Sequence, residues 1–134
     1  MDARTARARL TSGRVGHLAT VTPANRAHLV PCCFVLSADT AYSAIDAKPK
    51  STLMLRRLEN IESNGAASLL VDHYDEDWDA LWWVRVDGTG RIVEEAGERE
   101  LALALLVAKY EQYRAVPLPG PVLAIDIDTW RTWP

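Results

Sequence analysis

Hydrophobic and polar positions change period several times along this chain, and each change marks an element. Residues 2–12, DARTARARLTS, combine helix-forming Ala and Arg with few apolar anchors, which predicts a short helix lying on the surface with solvated arginines and an exit at Thr11-Ser12-Gly13. The run VGHLATV over residues 15–21 is rich in small and β-branched residues and reads as a strand. Thr22-Pro23-Ala24-Asn25-Arg26 follows as a hairpin turn in which Asn25 can take a left-handed conformation. The second strand, residues 28–36, is apolar on both faces and contains Pro31, which suits an edge or a bulge because proline donates no ladder hydrogen bond. A turn at Ser37-Ala38-Asp39-Thr40 leads to a third strand over residues 41–45.

Beyond Thr52 the period becomes helical: Leu53, Met54, Leu55, Leu58 and Ile61 make one apolar stripe, and Asn64-Gly65 closes the helix. Strands are expected at residues 66–71, 80–88 and 91–93, with Gly88 and Gly90 allowing the bulge or coil that closes a small antiparallel barrel. Trp82 and Trp83 alternate in the strand, so one enters the core while the other meets a ligand or a second subunit. Residues 97–113, GERELALALLVAKYEQY, form a second long amphipathic helix whose breadth of leucine implies burial on more than a narrow stripe. A rigid Pro-rich linker, residues 116–121, precedes a last strand at 122–127. The tail Trp130-Arg131-Thr132-Trp133-Pro134 is expected to dock on this subunit or its partner.

Composition narrows the class. With 134 residues, 49% hydrophobic and 25% charged, the chain is a single globular domain that needs no disulfide or metal to fold. A net charge of −3 with scattered cations argues against a nucleic-acid binder, and no segment approaches a membrane span or a signal peptide, so a cytoplasmic protein is expected. The adjacent Cys32 and Cys33 point to opposite faces of a strand. They read as reduced, small apolar residues rather than a disulfide.

Candidate chemistry concentrates at Lys48-Pro49-Lys50-Ser51-Thr52. Two ammonium groups and two hydroxyls delivered to a helix N-terminus make an anion seat, because free N–H groups, the helix dipole and the cations point one way. The small residues Ser43 and Ala44 just before it would let a flat ligand approach the backbone. Metal binding is not expected: the acidic residues 72–79 around His73 fit neither an EF-hand nor a zinc spacing, and His17 and His28 lie on other elements. Nucleophile elbow, P-loop and Rossmann patterns are absent. What remains suits a phosphate-bearing planar cofactor that carries the hard chemistry while the protein orients it.

The series GHLATVTP, HLVPCCFVL, YSAIDAKPKS, LRRLENIE and LLVDHYDEDWDALWWVRVDG resembles the pyridoxamine 5′-phosphate oxidase-like split β-barrel superfamily, and within it the actinobacterial coenzyme F420 (deazaflavin)-dependent oxidoreductases. The resemblance implies an α+β, mainly β fold: a split β-barrel of about six antiparallel strands with flanking helices, homodimeric, with cofactor sites at the subunit interface. It implies that Lys48 and Lys50, helped by Ser51 and Thr52, hold the cofactor phosphate, and that Pro31, Cys32, Cys33, Ser43 and Ala44 line the ring. Trp83 stands where related flavin oxidases carry glutamine, so stacking replaces a hydrogen bond to the ring edge, and Trp130 with Arg131 reaches toward the other subunit's site. The implied activity is hydride transfer between the deazaflavin and an unsaturated small molecule, with Tyr42, His28 and Tyr74 as candidate proton donors. FMN is the alternative cofactor, and a non-catalytic flavin, haem or tetrapyrrole binder, with Cys33 or His28 as the haem ligand to test, or a cofactor-free scaffold, is the alternative role.

Overall fold

The structure is a computed structural model that describes residues 1–45 and 52–134, the side chains of residues 52–55 excepted. Among the described residues three α-helices, α1 (Ala3–Ser12), α2 (Thr52–Ser63) and α3 (Ala96–Lys109), accompany seven strands. These are β1 (Gly16–Val21), β2 (Ala27–Cys32), β3 (Val35–Ser37), β4 (Thr40–Ala44), β5 (Ala66–His73), β6 (Trp82–Ile92) and β7 (Val122–Trp133). All pairings are antiparallel, in the order β2-β1-β5-β6-β7-β4-β3.

That order forces the sheet to curl. β2 and β3 are its two opposite edges, yet only Cys33 and Phe34 separate them in the chain. The edges must therefore meet at one corner, and the result is a half-closed barrel. The apolar run 28–36, expected as one strand, is broken at this corner, which raises the strand count from about six to seven. Pro31 sits on edge strand β2, where its missing N–H costs no ladder bond. The corner is pinned from α3: the Tyr110 hydroxyl accepts from Phe34 N at 3.0 Å and Lys109 Nζ donates to Phe34 O at 2.9 Å.

The inward faces of the strands supply the core through Leu18, Leu69, Val71, Val84, Val86 and Ile125. α1 lies on the surface, as its polar composition suggests, but is anchored from one face. Ala6 and Leu10 are buried in that core, because the helix needs only two apolar side chains one turn apart to plug a barrel mouth. Its arginines are also engaged: Arg7 pairs with Asp39 at 2.8 Å and covers the Trp130 ring, and Arg9 stacks over Trp82. α2 meets the interior through Ile61, which packs on Gly90, and through Asn60, whose amide donates to the buried Thr20 hydroxyl at 3.0 Å.

α3 covers the outward side of β3 and β4 and the first half of β7, around Tyr42, Ala44, Val122 and Ala124. It ends at Lys109, with a 3-10 turn over Glu111–Arg114. Its breadth of leucine matches a buried face wider than a narrow stripe: Ala102 and Leu106 are buried and Leu103 and Leu105 pack partly buried on the same cluster, while Leu101 on the far side remains 49% exposed. β6 runs unbroken through both glycines, with a register shift between Asp87 and Gly88. A side chain at Gly88 would strike the Asp126 carbonyl of β7, so the close strand approach needs glycine there. The tryptophan tail is the second half of β7, paired with β6 on the same subunit.

Candidate functional site

Lys48, Lys50 and Ser51 lie outside the described residues, and Thr52 is placed as the first residue of α2. The remaining predicted residues fall into separate groups. Cys32 faces the barrel interior and lines an internal cavity with Ser43, Phe34 and Ile61. At about 10 Å³ that cavity has room for about one water, so a tricyclic ring cannot enter it. Burial pushes the Cys32 thiol up to about 11, leaving it protonated at neutral pH. Cys33 turns toward the α3 side, and its carbonyl accepts from Ser43 Oγ at 2.8 Å. Ser43 and Ala44 are each 8% exposed, Ala44 beneath α3, so the chain's own packing already occupies both sides of that strand. Pro31 is exposed on the outward side of β2.

At the far end of β7 the predicted residues separate by strand parity. Trp130 lies opposite Val86, on the inward side, and is held against the core and α1. Arg131 lies opposite Arg85 and Trp133 opposite Trp83, all on the outward face. Two arginines directly opposed on one sheet face repel, and Arg85 is partly neutralised by Asp87, whose carboxylate is also bonded by Ser68 at 2.6 Å. Hydrogen bonds from Ser68 and Arg85 outweigh burial and keep the Asp87 carboxyl below its usual range. The Arg85 guanidinium also lies 5.9 Å from the centre of the Trp83 ring. The outcome is an outward platform of two tryptophans beside two arginines, suited to stack a planar ring and neutralise an acidic group. Trp82 turns inward, as alternation with Trp83 requires, and packs against α1 and His73.

The platform is distant from the small-residue strand. Ser43 is opposite Leu123 and Trp83 is opposite Trp133, so ten residues of β7, about 33 Å at the usual strand rise, separate the two groups. Among the described residues of one chain they share no pocket.

Among the candidate proton donors, Tyr42 is buried and its hydroxyl donates to Glu98 Oε2 at 2.7 Å, while Tyr74 is exposed. Burial and Glu98 push the Tyr42 hydroxyl up to about 12. Glu98 in turn binds Arg91 in bidentate fashion, and Arg91 also holds Asp126 at 2.7 Å. This polar network ties α3 to β6 and β7. Sequence reasoning did not find it, since Arg91, Glu98 and Asp126 lie far apart in the chain. A second open concavity of about 270 Å³ lies between α3 and the linker, lined by Leu103, Val107, Tyr113 and Val116, apart from every described candidate residue.

Among curated proteins none matches the chain. Several solved structures share its fold. A conserved hypothetical protein from Mycobacterium tuberculosis aligns with a TM-score of 0.80 at 20% identity, over 99% of this chain and 84% of that one. A FAD-binding protein from Mesorhizobium loti gives 0.74 at 20% identity, over 98% and 94%. A haem-binding protein from Mycobacterium smegmatis gives 0.76 at 17% identity, over 96% of this chain and 52% of its own. The family model for pyridoxamine 5′-phosphate oxidase matches residues 3–134. With that match spanning both barrel edges, all three helices and the tail, the chain belongs to the pyridoxamine 5′-phosphate oxidase family.

Proposed function

We propose that the protein is a homodimeric F420-dependent oxidoreductase that transfers a hydride between the deazaflavin and an unsaturated small-molecule acceptor. One observation carries the composite site: the small-residue strand that leads to Lys48 and the Trp83/Arg131 platform stand about 33 Å apart along β7. Two copies packed by their outward faces about a two-fold axis would bring the phosphate end of one subunit to the platform of the other. That face is available. Among the described elements no helix packs on the outward side of β2, β1, β5 and the first half of β6, where Leu29 is 68% exposed, nor on the adjoining end of β7, where Trp133 is 47% exposed. FAD binding by a fold neighbour supports a flavin-like ligand for this architecture.

In this reading Lys48 and Lys50 hold the phosphate, Trp83 with Trp133 covers the ring, and Arg131 meets an acidic group of the tail or acceptor. The deazaflavin supplies the hydride chemistry. The protein's residues orient the partners and keep water from the reacting face. Tyr42 has no part in proton transfer, since its hydroxyl is bound to Glu98 beneath α3.

The test is a titration with F420 and, in parallel, FMN, followed by tryptophan fluorescence quenching. Micromolar F420 affinity with weaker FMN binding is expected; preference for FMN moves the protein to flavin chemistry, and binding of neither removes the redox reading. Lys48→Ala combined with Lys50→Ala should weaken cofactor binding by about 1–3 kcal/mol, the worth of charge-assisted hydrogen bonds, while the fold is kept.

A further inference from the structure

Between α3 and the chain that follows it lies the open concavity of about 270 Å³. That size is at the small end of ligand pockets, which run from about 300 Å³ upward. Leu103 and Val107 of α3 form one wall, and Val116, Pro117 and Leu118 of the linker form the other. Apart from Tyr113 and Arg114 the lining is aliphatic. Both walls are held in place. Arg99 of α3 donates to Leu118 O at 3.0 Å and to Gly120 O at 2.8 Å, which ties the linker to the helix. Tyr113 N donates to Tyr110 O at 3.0 Å, and the two rings meet edge-on with centres 5.6 Å apart. The hollow therefore exists before any ligand arrives, and a preformed site loses little freedom on binding.

Arg114 is the charged residue of that lining, and among the described residues its guanidinium has no hydrogen bond or ion pair. Carbonyls at the end of α3 would oppose an anion there, but Leu106 O, Lys109 O and Tyr110 O already accept from Tyr110 N, the Arg14 guanidinium and Tyr113 N. We propose that the concavity binds a medium-chain alkyl carboxylate, its chain against Leu103, Val107 and Pro117 and its carboxylate on Arg114. The aliphatic walls favour a chain that leaves water, and the guanidinium fork matches the two oxygens of a carboxylate. A neutral ligand of the same shape would bury the same surface and leave the cation unanswered. The concavity shares no residue with the F420 site, so the assignment goes beyond the redox reading and does not depend on which ring cofactor the protein takes.

The probes are hexanoate, heptanoate and octanoate, titrated calorimetrically into the full chain without cofactor, with octanamide as the neutral counterpart. Each added methylene should tighten binding about fourfold, on the order of one buried CH₂. Octanamide should bind about tenfold more weakly than octanoate, and Arg114→Gln should bring octanoate down to the same level, on the order of one charge-assisted hydrogen bond. Ala115→Trp, at an exposed position of the lining, should fill the hollow and abolish binding with circular dichroism unchanged. The proposal is overturned if octanoate does not bind, if affinity is indifferent to chain length, if octanamide binds as well as octanoate, or if both variants bind like the native chain. Because no cofactor is present, failure here is separate from failure of F420 binding.

Discussion

At the scale of single residues, the polar network around Arg91 couples stability to acid. Hydrogen bonds from Arg91 and then Tyr42 bring the Glu98 carboxyl down to about 2 from an ordinary 4.5, and Arg91 likewise lowers Asp126. A depressed carboxylate stabilises the fold fully above its unfolded value and loses that contribution as pH falls through the folded one. Stability from this group should thus be whole above 4.5 and drain away toward 2. Urea midpoints measured across that window should fall for the native chain. In Arg91→Gln the slope of the fall should flatten, and an unaltered slope would mean that the network does not set the acid limit. The same network holds the hydroxyl of Tyr42, one of the candidate proton donors, on Glu98.

Among elements, the informative contact is between the C-terminal end of α3 and the corner joining β2 to β3. The Tyr110 hydroxyl satisfies Phe34 N and lies within hydrogen-bonding distance of the Phe34 and Arg14 carbonyls, at 3.1 and 3.0 Å. Tyr110→Phe keeps the ring but strands a buried N–H, so it should cost about 1–3 kcal/mol in chemical denaturation. Slower hydrogen exchange elsewhere in the sheet should persist, with faster exchange concentrated at the Phe34 corner. Little of this was legible in the sequence. The helix, the aromatic residue and the apolar run could each be read locally, but nothing in the run 28–36 marks where it turns from one sheet edge to the other. The surface helix expected at the N-terminus is present, but how it is anchored was not legible for a related reason. Ala6 and Leu10 are too few to make an amphipathic stripe, yet they suffice to stop a barrel mouth.

For the whole molecule, the decisive feature is the uncovered outward face of β2, β1, β5 and the first half of β6. If two copies pair through it, Ala19→Arg places a charge at its centre without touching the core, since Ala19 points outward between Leu29 and Ser68. Sedimentation should then show monomers where the native chain gives dimers, with unchanged circular dichroism. Cofactor affinity should fall together with dimerisation, because the platform and the small-residue strand would no longer meet. Retention of full affinity by a monomeric variant would put the whole site on one chain and refute the composite arrangement. None of the three described helices covers this face: α1 and α2 stop the barrel mouths and α3 shields the β3-β4 side.

The sequence by itself determined the local order: which runs are helical or extended, that Trp82 and Trp83 diverge, that Pro31 suits an edge or a bulge, and that Gly88 and Gly90 allow a bulge. Periods of 2 and 3.6, proline's missing donor and glycine's missing side chain act over a few residues and can be read there. Its motifs also carried the family. Only the tertiary structure decided which residues meet. Strand order sends β2 and β3 to opposite edges, and the parity of β7 turns Trp130 into the subunit while Arg131 and Trp133 face out. Such relations depend on how a sheet curls and pairs over a hundred residues, where the free energy is shared among many contacts and no short segment encodes it.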